Sequence, residues 1–388
     1  MRALIAPYTF PGLLSAVHIA EHLASGLSTV GIATRLLPLT AGREGSIDAA
    51  VSAGFTPHPV TVAGETGLPH YSRIALHEYT VVIDLATICG RATLPGGRRM
   101  PLDASSLGLG QAIGHALRHD PDRLVLTLGG SAGVDGGMGM LAALGFTFHD
   151  VDGRQLRACG RTLSRIHTVD CSRTVNLEGI EIVVTSDVTS PLLGPTGATA
   201  VYGPHTGATD ADARLLDAGL DNLVEAFVRS GYPHARDIAN APGAGSAGGI
   251  GFATMLLGAR MVSGAQYFLD LFDFDGALTD VDLVVTAGVS VDEQAGHGRL
   301  FSVLAERARP LPVIAVVERA RLPRPHGDSS GFDHIYALCD YTQRGINTDP
   351  RLTGESLRRI GRDIGITAIT SNTRSLLPTG SLAGSTGI

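Results

Sequence analysis

The chain has 388 residues, long enough for two domains, and at 44% hydrophobic and 17% charged it can bury substantial cores. A formal charge of -7, 5% aromatics and no tryptophan argue against a nucleic-acid partner, and no apolar run reaches membrane-spanning length. There is no lysine anywhere, so any phosphate contact must come from arginine, backbone N–H or a metal ion.

Arg2 to Ala6 reads as a buried first strand rather than the core of a signal peptide, because Pro7 and Pro11 break the run. Ser15 is placed to cap a helix to about Leu27, with Ala16, Ile19, Ala20 and Leu23 at helical spacing. A strand within Thr29–Leu39 and a helix over Ile47–Ala53 complete a β-α-β-α opening, the mark of a doubly wound sheet. Val60–Ala63 and Tyr79–Leu85 read as the strands of an open hairpin, and Ser105–Leu117 as a helix. Ile180–Ser186 is a further strand, ending in Asp187. Ala208–Arg229 is a helix with Leu216, Leu220, Leu223, Val224 and Phe227 on one face and Gly231 as its stop. The last third returns to α/β alternation, with strands at Val281–Thr286, Leu311–Val317 and His334–Leu338 and helices at Arg299–Ala308 and Arg351–Ile364. Cys89, Cys159, Cys171 and Cys339 are scattered and read as ordinary thiols, and the expected compartment is the cytoplasm.

The most informative stretch is Leu124 to Leu141. A β-forming run ends in Gly129-Gly130-Ser131-Ala132-Gly133-Val134-Asp135-Gly136-Gly137, and a small-residue helix follows. A strand–turn–helix of this kind turns backbone N–H groups and a helix dipole toward an anion, and glycine lets the backbone approach closely. The same pattern also serves as a plain tight turn. Asp135 could hold Mg²⁺ or orient a hydroxyl, or it could cap the following helix. Pro242 to Gly251 matches G-x-G-x-x-G, but no apolar strand precedes it. A closely packed helix of small residues fits better than a dinucleotide fingerprint.

In order and content these segments resemble the bacterial glycerate kinase family. The family turn Gly-Gly-Ser-Ala-Thr-Asn-Asp-Gly-Gly-Ala-Gly stands here as Gly129 to Gly139, and Cys-Asp-Val-Thr-Asn-Pro-Leu as Ser186 to Leu192. Gly194–Ala198, Tyr202–Ala208 and Pro242–Gly251 continue the match. Polar positions depart from it. Tyr8 and Pro11 replace an aspartate and a lysine, Thr40–Ser46 lacks the aspartate of its turn, and Ala287-Gly288-Val289-Ser290 lacks an acid and an arginine.

The resemblance implies an α/β fold in which residues 1–58 and 280–370 form a discontinuous flavodoxin-like domain. Residues 59–279 form an inserted α/β domain, and 371–388 a frayed tail. It implies ATP- and Mg²⁺-dependent phosphoryl transfer to a hydroxyl of glycerate, with no nucleic-acid or membrane partner and room for a homo-oligomer. Asp135, Asp187 and Asp292 are the implied catalytic carboxylates, Asp135 also the Mg²⁺ ligand. Gly129, Gly130, Ser131, Ser190, His205, Gly243 and Gly245 are implied substrate or phosphate contacts. Arg43, His297 and Arg299 could replace lost charge. Each lost charged contact corresponds to about 2.7–4 kcal/mol of barrier. A changed hydroxy-acid acceptor, or a non-catalytic homologue that binds a small anion or partners an active kinase, is therefore kept as an alternative. Tyr8 and Val134 are expected to make the pocket more apolar.

Overall fold

A computed structural model describes residues 1–42, 44–94, 99–131, 133–289, 298–318, 331–342 and 349–375. Its strands are β1 (Arg2–Ile5), β2 (Ala33–Leu36), β3 (Thr56–Ala63), β4 (Pro69–His77), β5 (Thr80–Asp84), β6 (Arg123–Thr127), β7 (Thr147–His149), β8 (Thr168–Asp170), β9 (Glu181–Thr185), β10 (Arg260–Val262), β11 (Leu283–Gly288), β12 (Val313–Val317) and β13 (His334–Ala337). The chain divides into two compact units, Met1–Pro38 with Asp275–Ile388, and Leu39–Phe274. The first boundary therefore lies at Pro38, earlier than residue 58. Helix Ser46–Ser52 packs on β3, β4 and β5, and β3 pairs with β4 from Thr56 onward, so both belong to the second unit.

In the first unit all five strands are parallel, in the order β13-β12-β11-β1-β2. Counted along the chain this is 2-1-3-4-5, the flavodoxin-like order, whose switch point lies between β1 and β11. Ser15 caps helix Ala16–Ser28 by accepting a hydrogen bond from the His18 N–H at 3.3 Å. Ile19, Ala20, Leu23 and Leu27 of that helix are buried, each larger aliphatic side chain contributing about 1.5–3 kcal/mol. Helix Pro350–Ser375 packs against it so closely that a Cβ on Gly26 would lie 2.1 Å from the Arg358 carbonyl oxygen. This last helix runs past the expected end at Ile364, and residues 371–375 belong to it rather than to a tail.

The second unit carries a six-stranded sheet, β10-β9-β6-β5-β4-β3. An antiparallel meander, β3-β4-β5, feeds a parallel half, β5-β6-β9-β10. The expected hairpin between Val60–Ala63 and Tyr79–Leu85 is thus corrected, because β4 lies between its two strands. Helix Asp210–Arg229 opens with a capping box between Thr209 and Asp212, buries Leu216, Leu220, Leu223, Val224 and Phe227, and is followed by Gly231 at φ +96°. Among the described residues no helix is long and apolar enough to cross a membrane. All four cysteines are free thiols.

Candidate active site

Parallel strands direct their carboxyl ends, and the loops that follow, to one edge of a sheet, where α/β proteins place ligands. In the first unit the switch point is occupied by aromatic side chains. Tyr8, just past β1, is only 7% exposed. Its N–H donates to the Ala287 carbonyl at 2.8 Å, which fixes the loop beside β11. Its ring meets Phe301 edge-on at 5.9 Å, and Phe301 meets Phe332 at the same distance. Gly288 admits Phe301, since a Cβ there would lie 2.6 Å from the ring. Pro11 is exposed and Val289 half-buried, whereas Ser290, Asp292, Gln294 and His297 lie outside the described residues, as does Arg43. Arg299 lies in helix Gly298–Ala308 and His205 in helix Ala198–Thr206.

The second unit has a polar carboxyl edge. β5, β6 and β9 end in Asp84, Thr127 and Thr185, in register and all buried. Asp84 Oδ1 accepts hydrogen bonds from the Ala86 N–H at 3.0 Å and the Thr127 hydroxyl at 2.9 Å. Its other oxygen is buried with no hydrogen-bond partner. Burial, opposed by those hydrogen bonds, pushes the Asp84 carboxyl up to about 7. Beyond β9, Asp187 is half-buried and its Oδ1 accepts a hydrogen bond from the Ser263 hydroxyl at 3.1 Å. Ser186 and Ser246 share a hydrogen bond at 3.0 Å. The turn after β6 presents Gly129, Gly130 and Ser131 toward solvent, Gly130 with φ +78°. Its underside is fixed by the Arg91 N–H donating to the Gly130 carbonyl at 3.1 Å and by a bridge between Gly90 and Ser131.

Asp135, the expected catalytic carboxylate and metal ligand, is enclosed by backbone and hydroxyl donors. It is 3% exposed, and its carboxylate accepts from the Ser106 N–H (2.7 Å), the Ser106 hydroxyl (2.8 Å), the Gly139 N–H (3.1 Å) and the Gly137 N–H (3.0 Å). Four donors use the acceptor capacity of a carboxylate. Burial pushes its carboxyl up, and those same hydrogen bonds oppose the shift. Asp135 therefore acts as a brace, tying the helix start at Ser106 to the one at Met138. This is the capping alternative left open by the sequence. Among the described residues no cluster of three or more His, Cys, Asp or Glu side chains could hold a metal ion.

The glycines of the second cluster serve packing. A Cβ on Gly248 would lie 2.1 Å from the Gly133 carbonyl oxygen, and one on Gly249 2.7 Å from the Gly136 Cα. The Gly136 N–H donates to the Gly248 carbonyl at 3.0 Å. The two glycine-rich segments thus interlock backbone to backbone. Ala247, Gly248 and Gly249 all have positive φ, so the regular part of the small-residue helix begins only at Ile250. Gly245 lies against Pro191, where a Cβ would be 2.3 Å from the carbonyl oxygen, and its N–H donates to the Ser190 carbonyl at 3.0 Å. Gly243 sits under Met261. Val134 is fully buried in the core instead of lining a pocket.

The residue that the sequence reading passed over is Asp84. Its signal was a carboxylate inside the apolar run Val81–Leu85, a placement that demands a hydrogen-bonding reason.

The model of the glycerate kinase family matches residues 3–365. The chain belongs to the glycerate kinase family. It is 34% identical to the glycerate kinase of Bacillus subtilis, over 87% of this chain and 90% of that one. It is 31% identical to the glycerate 2-kinase of Escherichia coli, over 81% and 84%. The crystal structure assigned as glycerate kinase 2 of Salmonella typhimurium LT2 superposes with a TM-score of 0.82 at 30% identity, covering 96% of this chain and 99% of that one.

Proposed function

We propose that this protein is a glycerate kinase, transferring the γ-phosphoryl group of ATP to a hydroxyl of glycerate with Mg²⁺. The observation that carries the reading is the polar carboxyl edge of the second unit in a chain of this family. There an exposed glycine turn and a solvent-reachable carboxylate stand on adjacent strands. Phosphoryl transfer relies on positioning and on neutralising spread negative charge. In a chain without lysine, backbone N–H groups of Gly129–Ser131 and arginine must supply what a lysine would.

Mg²⁺ in such sites takes one or two carboxylates and completes its shell with phosphate oxygens and water. Asp187 suits that role. It is half-exposed, and among the described residues its hydrogen bond comes from a neutral hydroxyl. Asp135 does not suit it, because a metal would have to displace four donors. When bound, the metal neutralises phosphate charge. Ser263 orients the Asp187 carboxylate. The Gly130 turn is held from below by Gly90 and Arg91, so its geometry is fixed before ligand arrives. Asp292 is proposed as acceptor of the glycerate hydroxyl proton, on the family pattern alone. His297, Arg299 and Arg43 are proposed as replacement charges on the same basis.

A second reading is favoured by Tyr8. Its buried ring stands where the family pattern has an aspartate, which fits a homologue that binds a small anion without transferring phosphate, or one with a more apolar hydroxy-acid acceptor. ADP release from ATP and D-glycerate with Mg²⁺, read alongside calorimetric binding of each ligand, separates these readings. Glycerate-dependent, Mg²⁺-dependent turnover supports the kinase. Binding of ATP or glycerate without turnover supports the second reading. Neither binding nor turnover in folded protein contradicts both.

A further inference from the structure

Ser186 follows β9 directly and stands where the family pattern has a cysteine. Its N–H donates to the Val262 carbonyl at 3.1 Å, which fixes its backbone to the end of β10. Its hydroxyl oxygen accepts from the Val188 N–H at 3.2 Å and so closes a turn around Asp187. The same oxygen lies 3.0 Å from the hydroxyl of Ser246, in the second glycine-rich segment. That segment grips the Asp187 loop elsewhere too. The Gly245 N–H donates to the Ser190 carbonyl, and a Cβ on Gly243 would meet the Val188 carbonyl oxygen at 3.3 Å.

The two hydroxyls carry two hydrogens, and the bond between them uses one. Ser246 is 1% exposed, and among the described residues its side chain is hydrogen-bonded to Ser186 alone. If Ser186 were the donor, the Ser246 hydrogen would be buried without an acceptor, the costlier arrangement. Ser246 is therefore the donor. The lone pairs of the Ser186 oxygen are then filled, one by Val188 and one by Ser246. The Ser186 hydrogen is left over. Ser186 is half-buried at the carboxyl edge, where Thr185 is in register with Thr127 and the exposed Gly129–Ser131 turn rises from the adjacent strand.

We propose that the Ser186 hydroxyl is a ligand-binding donor. It serves an anionic oxygen bound between Asp187 and the Gly129–Ser131 turn, either a phosphate of the nucleotide or the carboxylate of glycerate. Ser246 occupies the second lone pair and so keeps the hydrogen free for ligand. A hydroxyl donates more strongly than the thiol of the family pattern, which matters in a chain with no lysine. The proposal rests on the kinase reading for the identity of these ligands, and its test does not need turnover.

The test measures calorimetric binding of ATP with Mg²⁺, D-glycerate and inorganic phosphate to wild type, Ser186→Ala, Ser186→Cys and Ser246→Ala, with Tm for each. Ser186→Ala and Ser246→Ala break the same hydrogen bond, so a merely structural pair makes them alike. Ser186→Cys keeps a weak acceptor for Val188 and loses the strong donor.

Both Ser186 variants should weaken a ligand roughly ten- to a hundredfold. Ser246→Ala should stay within about threefold of wild type, whatever its Tm. Weakening of ATP and inorganic phosphate assigns the donor to a phosphate, and weakening of glycerate alone assigns it to the carboxylate. Equal losses in the Ser186 and Ser246 variants would overturn the proposal, as would unchanged affinity in the Ser186 variants. A clear gain in Ser246→Ala would overturn it as well, because Ser186 would then be the donor within the pair. Failure of both Ser186 variants to fold would show that the hydroxyl serves the fold, and wild type that binds none of the three ligands has no such site. Binding by wild type without turnover counts against the kinase reading alone.

Discussion

The two parallel sheets of this chain present their carboxyl ends in opposite ways. At the first, the switch point between β1 and β11 is filled by Tyr8 against Phe301. At the second, β5, β6 and β9 end in Asp84, Thr127 and Thr185, with Asp187 and an exposed glycine turn just beyond. The same strand geometry thus yields an apolar plug in one unit and a polar edge in the other. Topology marks where a ligand can sit, and side chains decide whether it does.

Within the polar edge, the largest effect should come from the brace. Asp135→Ala leaves three buried N–H groups and a hydroxyl without their acceptor and should cost about 3–5 kcal/mol in urea unfolding. A loss under 1 kcal/mol would mean that the carboxylate is not committed to the fold and is available to a metal.

At the apolar edge, Tyr8→Asp restores the family's charge. In a plugged site this buries a carboxylate against Phe301, and unfolding should show a loss of about 3 kcal/mol or more. An unchanged stability with raised turnover would show instead that the switch point opens to ligand.

A smaller stability effect, about 1–3 kcal/mol, is expected for Gly245→Ala, whose methyl would meet the Pro191 carbonyl. Smaller still, Arg154→Ala should change stability by less than about 0.5 kcal/mol, since its ion pair with Asp152 is exposed on both sides. A greater loss there would show that the turn carrying Asp152 and Arg154 contributes more to the fold than its exposure implies.

Much of the fold was legible in the sequence. The flavodoxin-like first unit followed from apolar β-forming runs alternating with helical spacing, and the helix at 210–229 from a clean apolar stripe with Gly231 behind it. β4 escaped because its exposed residues, among them Tyr71 and Arg73, hide the alternation with buried Ser72 and Ile74. The site was legible in part. Composition and spacing put glycine, serine and aspartate on one turn, but could not tell a carboxylate facing ligand from one facing backbone. Asp135 and Asp187 look alike in sequence and differ in what surrounds them, four donors in one case and one hydroxyl in the other. Asp84 looked like strand interior, because only the stacking of loops over β5 makes its position unusual.

The most direct test of the account follows the γ-phosphoryl group of ATP by phosphorus NMR, with D-glycerate and Mg²⁺, in wild type and Asp187→Asn. The account predicts a phosphoglycerate signal in wild type. In the variant it predicts a rate roughly a hundred- to a thousandfold lower with an unchanged Tm, because Asp187 acts on ligand and not on the fold. Equal rates in the two proteins would contradict the placement of the chemistry at the polar edge of the second unit.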